Sequence, residues 1–199
     1  GVVERIEPGL QKNELVADIY RDALTGLGNR SFVHDRLRDA KAQASLTGAT
    51  IAVCYVDLDN FRLVNERLGH AAGDELLILI ASRLKTLVRS EDALARIGGD
   101  EFALVLNNRR DYRSCKQYAE KILSGLRGSY TLSSENTVYV SASMGMSVYP
   151  GDDADSDSLM RHADQAMYEA KDSGRDHIVT FDVDKSSAEV IKRRQVQRI

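Results

Sequence analysis

Three carboxylates in this sequence have neighbours that suit divalent-metal chemistry. Asp57 closes an apolar run, Ile51-Ala-Val-Cys-Tyr-Val-Asp-Leu58, while Asp100 and Glu101 follow two consecutive glycines, Gly98 and Gly99. Magnesium takes hard oxygen ligands, draws few of them from protein, and leaves positions open for phosphate. Two carboxylates at the ends of adjacent strands, with a backbone carbonyl nearby, supply such a set. The glycines remove side chains beside Asp100 and let a bulky ligand approach the backbone. A surface turn rich in acidic residues explains the same residue types without any metal, and residue type alone leaves both readings open.

The carboxylates act together only if the chain brings them together. Thr50–Leu58 is short and rich in β-branched residues, which predicts a central strand buried on both faces. A period of two places Asp57 and Asp59 on the same side of it. Ala93–Ile97 and Phe102–Leu106, separated by Gly98-Gly99-Asp100-Glu101, predict a hairpin whose glycines take positive φ. If that hairpin lies beside the central strand, Asp57 and Asp100 reach one edge of the sheet. Apolar spacing predicts helices over about 31–45, 61–67, 74–88, 111–126 and 156–171, and further strands over 138–149 and 178–181. The order β-α-α-β-β-α-β-α-β predicts an α+β domain with an antiparallel central sheet flanked by helices. Residues 1–21 read as a linker helix whose heptad-like pattern Pro8-Gly9 breaks. Residues 183–199 read as a basic connector helix opened by a capping box at Ser186-Ser-Ala-Glu189.

Composition narrows the function classes. A chain of 199 residues fits one domain with short extensions, and its net charge of -3 lacks the basic excess of a nucleic-acid binder. Two cysteines, Cys54 and Cys115, are too few for a disulfide framework and point to a reducing, cytoplasmic setting. The most apolar stretch, Leu76–Ile80, is far too short to span a bilayer, so no direct membrane contact is expected. A first residue Gly1 rather than Met suggests a piece of a longer protein.

Gly98-Gly-Asp-Glu-Phe102 resembles the signature of the GGDEF family of diguanylate cyclases. Asp57-Leu-Asp-Asn-Phe-Arg-Leu-Val-Asn65, Gly69-His-Ala-Ala-Gly-Asp74 and Tyr168-Glu-Ala-Lys-Asp-Ser-Gly-Arg175 resemble its other motifs in the same order. The resemblance runs from Asp22 to about Asp182 and implies a ferredoxin-like, polymerase-palm-like core. It implies that two GTP molecules are joined into cyclic di-GMP and pyrophosphate by two magnesium ions per GTP, with manganese as a substitute. Asp57 and Asp100 would bind metal through their side chains and Leu58 through its carbonyl. Glu101 would be a further ligand or help to deprotonate the attacking 3′-hydroxyl, with the ligand role ranked first. Asn65 and Asp74 would read the guanine edge. Lys171 and Arg175 would contact the β- and γ-phosphates, which the backbone of Asn60, Phe61 and Arg62 would cradle. Blander roles remain open: Asn65 and Asp74 as helix-end residues, Lys171 and Arg175 as cations at a helix C-terminus, Asp59 as a loop-shaping residue, and His70 as a structural hydrogen-bonding one. Gly28, Arg62 and Glu66 stand where proline, lysine and aspartate are common in the family.

Arg89-Ser-Glu-Asp92, five residues before Gly98, resembles the family's Arg-x-x-Asp element, where cyclic di-GMP binds and inhibits. Arg forks to guanine O6 and N7 or to phosphate, and Asp accepts from guanine N–H groups; Lys121 would add a cation. A weak Arg89–Asp92 ion pair at a helix end is the alternative. The resemblance also implies a homodimer for catalysis, a fused upstream sensory domain, and an EAL phosphodiesterase domain as a candidate downstream neighbour. A GTP-binding regulatory module of low activity is the rival to an active cyclase.

Overall fold

The apolar run around Val53 forms the centre of the molecule. In the computed structural model, which describes residues 19–184, strand β1 (Thr50–Leu58) is buried along nearly its whole length. Helices cover both of its faces, which is why its sequence is continuously apolar rather than alternating. β3 (Glu101–Arg109) pairs with one side of it and β6 (Ala142–Tyr149) with the other, both antiparallel. β2 (Ala93–Gly98) lies outside β3 and β7 (Ile178–Thr180) outside β6, giving the order β2-β3-β1-β6-β7.

Helices α1 (Arg30–Thr47) and α5 (Ser156–Asp172) cover the face that carries Val53, Tyr55, Ala103 and Val105. Helices α3 (His70–Leu87) and α4 (Tyr112–Leu126) cover the face that carries Cys54, Val56, Leu104 and Leu106. Short helix α2 (Phe61–Leu68) leads from β1 into α3 and buries Phe61. Side-chain oxygens begin the longer helices where the sequence offers them: Asn29 accepts from Phe32, Asp155 accepts from Ser158, and Asp111 forms a capping box with Ser114. Both cysteines are free and buried, and burial pushes their thiols up.

Four details differ from the sequence expectations. The sheet is antiparallel through four strands, but β7 runs parallel to β6 because the chain reaches it through the α5 crossover. The predicted strand over 138–149 is two strands, β5 (Thr137–Val140) and β6, divided at Ser141. β5 pairs instead with β4 (Gly128–Thr131) in a separate two-stranded sheet. β4 is short and half exposed, so it lacks the apolar alternation that would announce it. Finally, α3 begins at His70 rather than Asp74, which puts Asp74 in the helix body and removes its helix-end role. The expected linker and connector helices fall on residues before 19 and after 184, apart from their innermost positions, and lie outside the described residues.

Candidate functional site

The β1–β3 register sets Asp57 directly opposite Glu101. Two carboxylates on facing positions repel each other and gain from a shared cation. Burial, offset by the Lys171 hydrogen bond and reinforced by Asp100 and Glu101, pushes the Asp57 carboxyl up to about 6. Glu101 is raised as well, by burial and then by Asp164 and Asp100. The Lys171 ammonium, in the last turn of α5, donates to Asp57. Lys171, expected at phosphate, therefore stands on the Asp57 carboxylate in the structure. Tyr55 shares a strand face with Asp57 and its hydroxyl donates to Glu101 at 3.4 Å, while Arg30 donates to the same hydroxyl at 3.4 Å. Sequence reasoning missed Tyr55 and Arg30, although the period-two position of Tyr55 before Asp57 was the available signal.

This donor set fits magnesium. The ion takes one or two protein carboxylates and fills its octahedron with water and phosphate oxygens. Asp57, Asp100, Glu101 and the Leu58 carbonyl at the end of β1 would hold it; Asp100 and Glu101 both raise the Asp57 carboxyl.

The hairpin tip turns Asp100 toward a different wall. Gly98 and Gly99 have φ of 153° and 51°, a backbone region that other residues rarely enter. Arg96 fixes the turn by donating to the Gly99 carbonyl at 2.9 Å and to both carboxylate oxygens of Asp22 at 3.1 and 3.0 Å. Asp100 and Gly99 then line a cleft of about 440 Å³ with Phe61, Arg62, Asn65 and His70. Asn65 lines this cleft, and its side-chain oxygen, turned against Gly73, is buried without a hydrogen-bond partner. Gly73 makes the space for it, because a Cβ there would stand 1.9 Å from that oxygen. Asp74, the next residue of α3, is exposed. Arg62 pairs with Glu66 at 2.7 Å across one turn of α2. Asn60 caps α2 in a left-handed conformation, φ 58°, and leaves the first N–H groups of that helix pointing out beyond the end of β1.

The structure thus divides the expected residues between the two sides of the sheet end. Asp57, Glu101 and Lys171 gather on the α5 side, whereas Asp100, Asn65 and Arg62 gather on the α2 side. Arg175 lies just past α5 and is exposed. Asp59 accepts from the Ser141 and Ser143 hydroxyls, both at 2.7 Å, which is a loop-shaping arrangement.

At the Arg-x-x-Asp element, Asp92 does not pair with Arg89. Its side chain is 0% exposed, meets Arg109 at 2.5 Å and accepts the Asn107 backbone N–H at 2.8 Å. Arg89 lies over the Tyr118 ring, 4.9 Å from its centroid, and faces a cleft of about 920 Å³ that Arg36 and Lys85 also line. Arg109 holds the same ring at 4.2 Å. Both the ion-pair alternative and the idea of Asp92 as an open acceptor give way to this buried pair. Lys121 is exposed on α4, one turn past Tyr118.

A family model described as "Diguanylate cyclase, GGDEF domain" matches residues 19–177. The bifunctional diguanylate cyclase/cyclic di-GMP phosphodiesterase MucR of Pseudomonas aeruginosa is 41% identical over 169 residues, which cover 85% of this chain and 24% of MucR. The diguanylate cyclase TpbB of the same species is 39% identical over 162 residues, 81% of this chain and 37% of TpbB. A solved structure comprising only the GGDEF domain of Pseudomonas aeruginosa TpbB superposes with a TM-score of 0.81 at 35% identity, over 84% of this chain and 98% of that one. The chain therefore spans less than half the length of these curated relatives.

Proposed function

The chain belongs to the GGDEF family of diguanylate cyclase domains, and we propose that it joins two GTP molecules into cyclic di-GMP across a homodimer. The observation that carries this reading is the facing pair Asp57–Glu101 next to a cleft lined by Asp100 and by Asn65, whose buried oxygen has no partner. The carboxylates suit the metal-bound phosphates, and the Asn65 oxygen, with exposed Asp74, suits the N–H donors along the guanine edge. Bound magnesium, two ions per GTP, supplies neutralisation of the charge on the transferring phosphoryl group; manganese is the expected substitute. The α2 N–H groups at Phe61 and Arg62 face the same end of β1 and suit phosphate oxygens. Arg175 adds the positive charge expected at the β- and γ-phosphates, and Lys171 would join it on release from Asp57.

The 3′-hydroxyl of one GTP attacks the α-phosphorus of the other, the new P–O bond forms, and pyrophosphate leaves in line; a second, reciprocal attack closes the ring. Asp100, beside the metal-site pair and aimed into the nucleotide cleft, is the residue placed to orient that hydroxyl or receive its proton. Each domain holds one GTP, so the active site is complete only when two domains face each other. Product would bind at Arg89, whose guanidinium is held on Tyr118 and faces the large cleft. Asp92 is committed to Arg109, so inhibition would rest on the cations Arg89 and Lys121 more than on Asp92.

The test is product formation from GTP and magnesium, followed by chromatography across a series of protein concentrations, with Asp100→Asn and Glu101→Gln as controls. Cyclic di-GMP that rises faster than linearly with protein and is lost in both variants is the expected result. GTP binding without product, even under enforced dimerisation, would favour a regulatory GTP-binding module.

A further inference from the structure

Arg175 sits in an unusual piece of backbone. It and Asp176 both take the left-handed conformation, with φ of 64° and 55°, although neither is glycine. Consecutive non-glycine residues hold this conformation only where surrounding contacts over-determine it. The Arg175 N–H donates to the Ala170 carbonyl at 3.0 Å and the His177 ring nitrogen lies 2.8 Å from the Arg175 carbonyl, and Asp176 is held from two further sides. The Asp176 N–H donates to the Asp59 carboxylate at 3.1 Å. From the exposed side, Arg127 binds Asp176 twice, donating to its carboxylate at 2.9 Å and to its carbonyl at 3.2 Å.

Asp59 is itself fixed. One carboxylate oxygen accepts from the Ser143 hydroxyl, and the other accepts from the Ser141 hydroxyl together with the Asp176 N–H. Its own N–H donates to the Ser141 carbonyl at 2.9 Å. Ser143 lies opposite Asp57 in the β1–β6 register. Asp59 thus joins the metal-bearing end of β1, the start of β6 and the turn after α5.

We propose that Asp59 is a positioning residue for nucleotide phosphate: its carboxylate, aided by Arg127, holds the Arg175–Asp176 turn so that the Arg175 guanidinium stays aimed at the β- and γ-phosphates. The inference rests on the phosphate role of Arg175 stated under Proposed function. Sequence alone gives Asp59 a loop-shaping role, since Arg175 is more than a hundred residues away. Only the fold makes Asp59 a neighbour of the turn after α5.

Binding of 3′-deoxy-GTP, which lacks the attacking hydroxyl, is measured against binding of GMP by calorimetry at fixed magnesium. Asp59→Asn keeps the shape of the side chain, and Arg127→Ala loosens the same turn from an exposed position that does not threaten folding. Arg175→Ala and the Asp59→Asn/Arg175→Ala double variant complete the set. Asp59→Asn is expected to weaken 3′-deoxy-GTP about tenfold, the scale of one charge-assisted contact. Arg127→Ala should weaken it less, both should leave GMP affinity unchanged, and the double variant should lose no more than Arg175→Ala alone. Full triphosphate affinity in Asp59→Asn beside a weakened Arg175→Ala overturns the inference alone. Full affinity in Arg175→Ala overturns the phosphate role of Arg175 as well. Equal weakening of GMP and 3′-deoxy-GTP in Asp59→Asn would mean a general loss of structure and also overturns it.

Discussion

Asp57 illustrates how one side chain is shaped for a cation at a cost to the fold. Its carboxyl is pushed up to about 6 by burial, with Lys171 pulling against it and Asp100 and Glu101 adding to it. Without metal, the folded chain keeps this proton between the ordinary value of 3.8 and about 6, where the unfolded chain has released it. The stabilising contribution is therefore complete below the lower value and is lost as pH rises through the upper one. The shift corresponds to about 3 kcal/mol at full strength, and solvent screening reduces it to roughly 1–2 kcal/mol. In chelator-treated protein, urea unfolding of Asp57→Asn should gain roughly 1–2 kcal/mol on the wild type between pH 4 and pH 7. A difference that stays flat over that range would mean that Asp57 is not the residue under strain. The buried pair Asp92–Arg109 is a parallel case: burial pushes the Asp92 carboxyl up, and the Asn107 N–H and Arg109 offset only part of that desolvation.

At the scale of elements, helix α5 is held close to the sheet by a single missing side chain. A Cβ at Gly145 of β6 would stand 2.0 Å from the Ala163 carbonyl and 2.1 Å from the Met167 nitrogen. Both are backbone atoms and cannot swing away. Gly145→Ala must lift α5 off β6, and Lys171 at the helix end moves with it. The expected loss is about 3 kcal/mol, at the upper end of overpacking in a core. Denaturant unfolding measures it, and a variant as stable as the wild type would show that α5 shifts freely. The hairpin tip depends on a comparable tie, since Arg96 links the Gly99 turn to Asp22 near the start of the described residues. Movement of Asp22 would reach Asp100 through Arg96 and the Gly99 turn.

For the whole molecule, the split site has a consequence for mixtures. Under the proposed mechanism each domain supplies its own acidic pair and nucleotide cleft, so a mixed dimer with Glu101→Gln would retain only one competent half. Excess Glu101→Gln protein should therefore depress wild-type turnover at concentrations where the wild type dimerises, and leave it unchanged under dilution. Undiminished turnover with a large excess of the variant would rule out obligate pairing. Much of this chemistry was legible in the chain itself. The continuous apolar run ending in Asp57 and the double glycine before Asp100 identified the central strand, the hairpin and the acidic cluster, because strand periodicity and positive φ are local properties. The β4–β5 hairpin escaped notice because Gly128-Ser-Tyr-Thr131 buries too little to leave an apolar pattern. Tertiary structure alone decided that Glu101 rather than Asp100 faces Asp57, that Asp92 turns inward to Arg109, that Gly73 makes room for Asn65, and that Asp59 holds the Arg175 turn. Each of these depends on strand register or on contact between distant segments, and a one-dimensional sequence carries neither until packing fixes which faces meet.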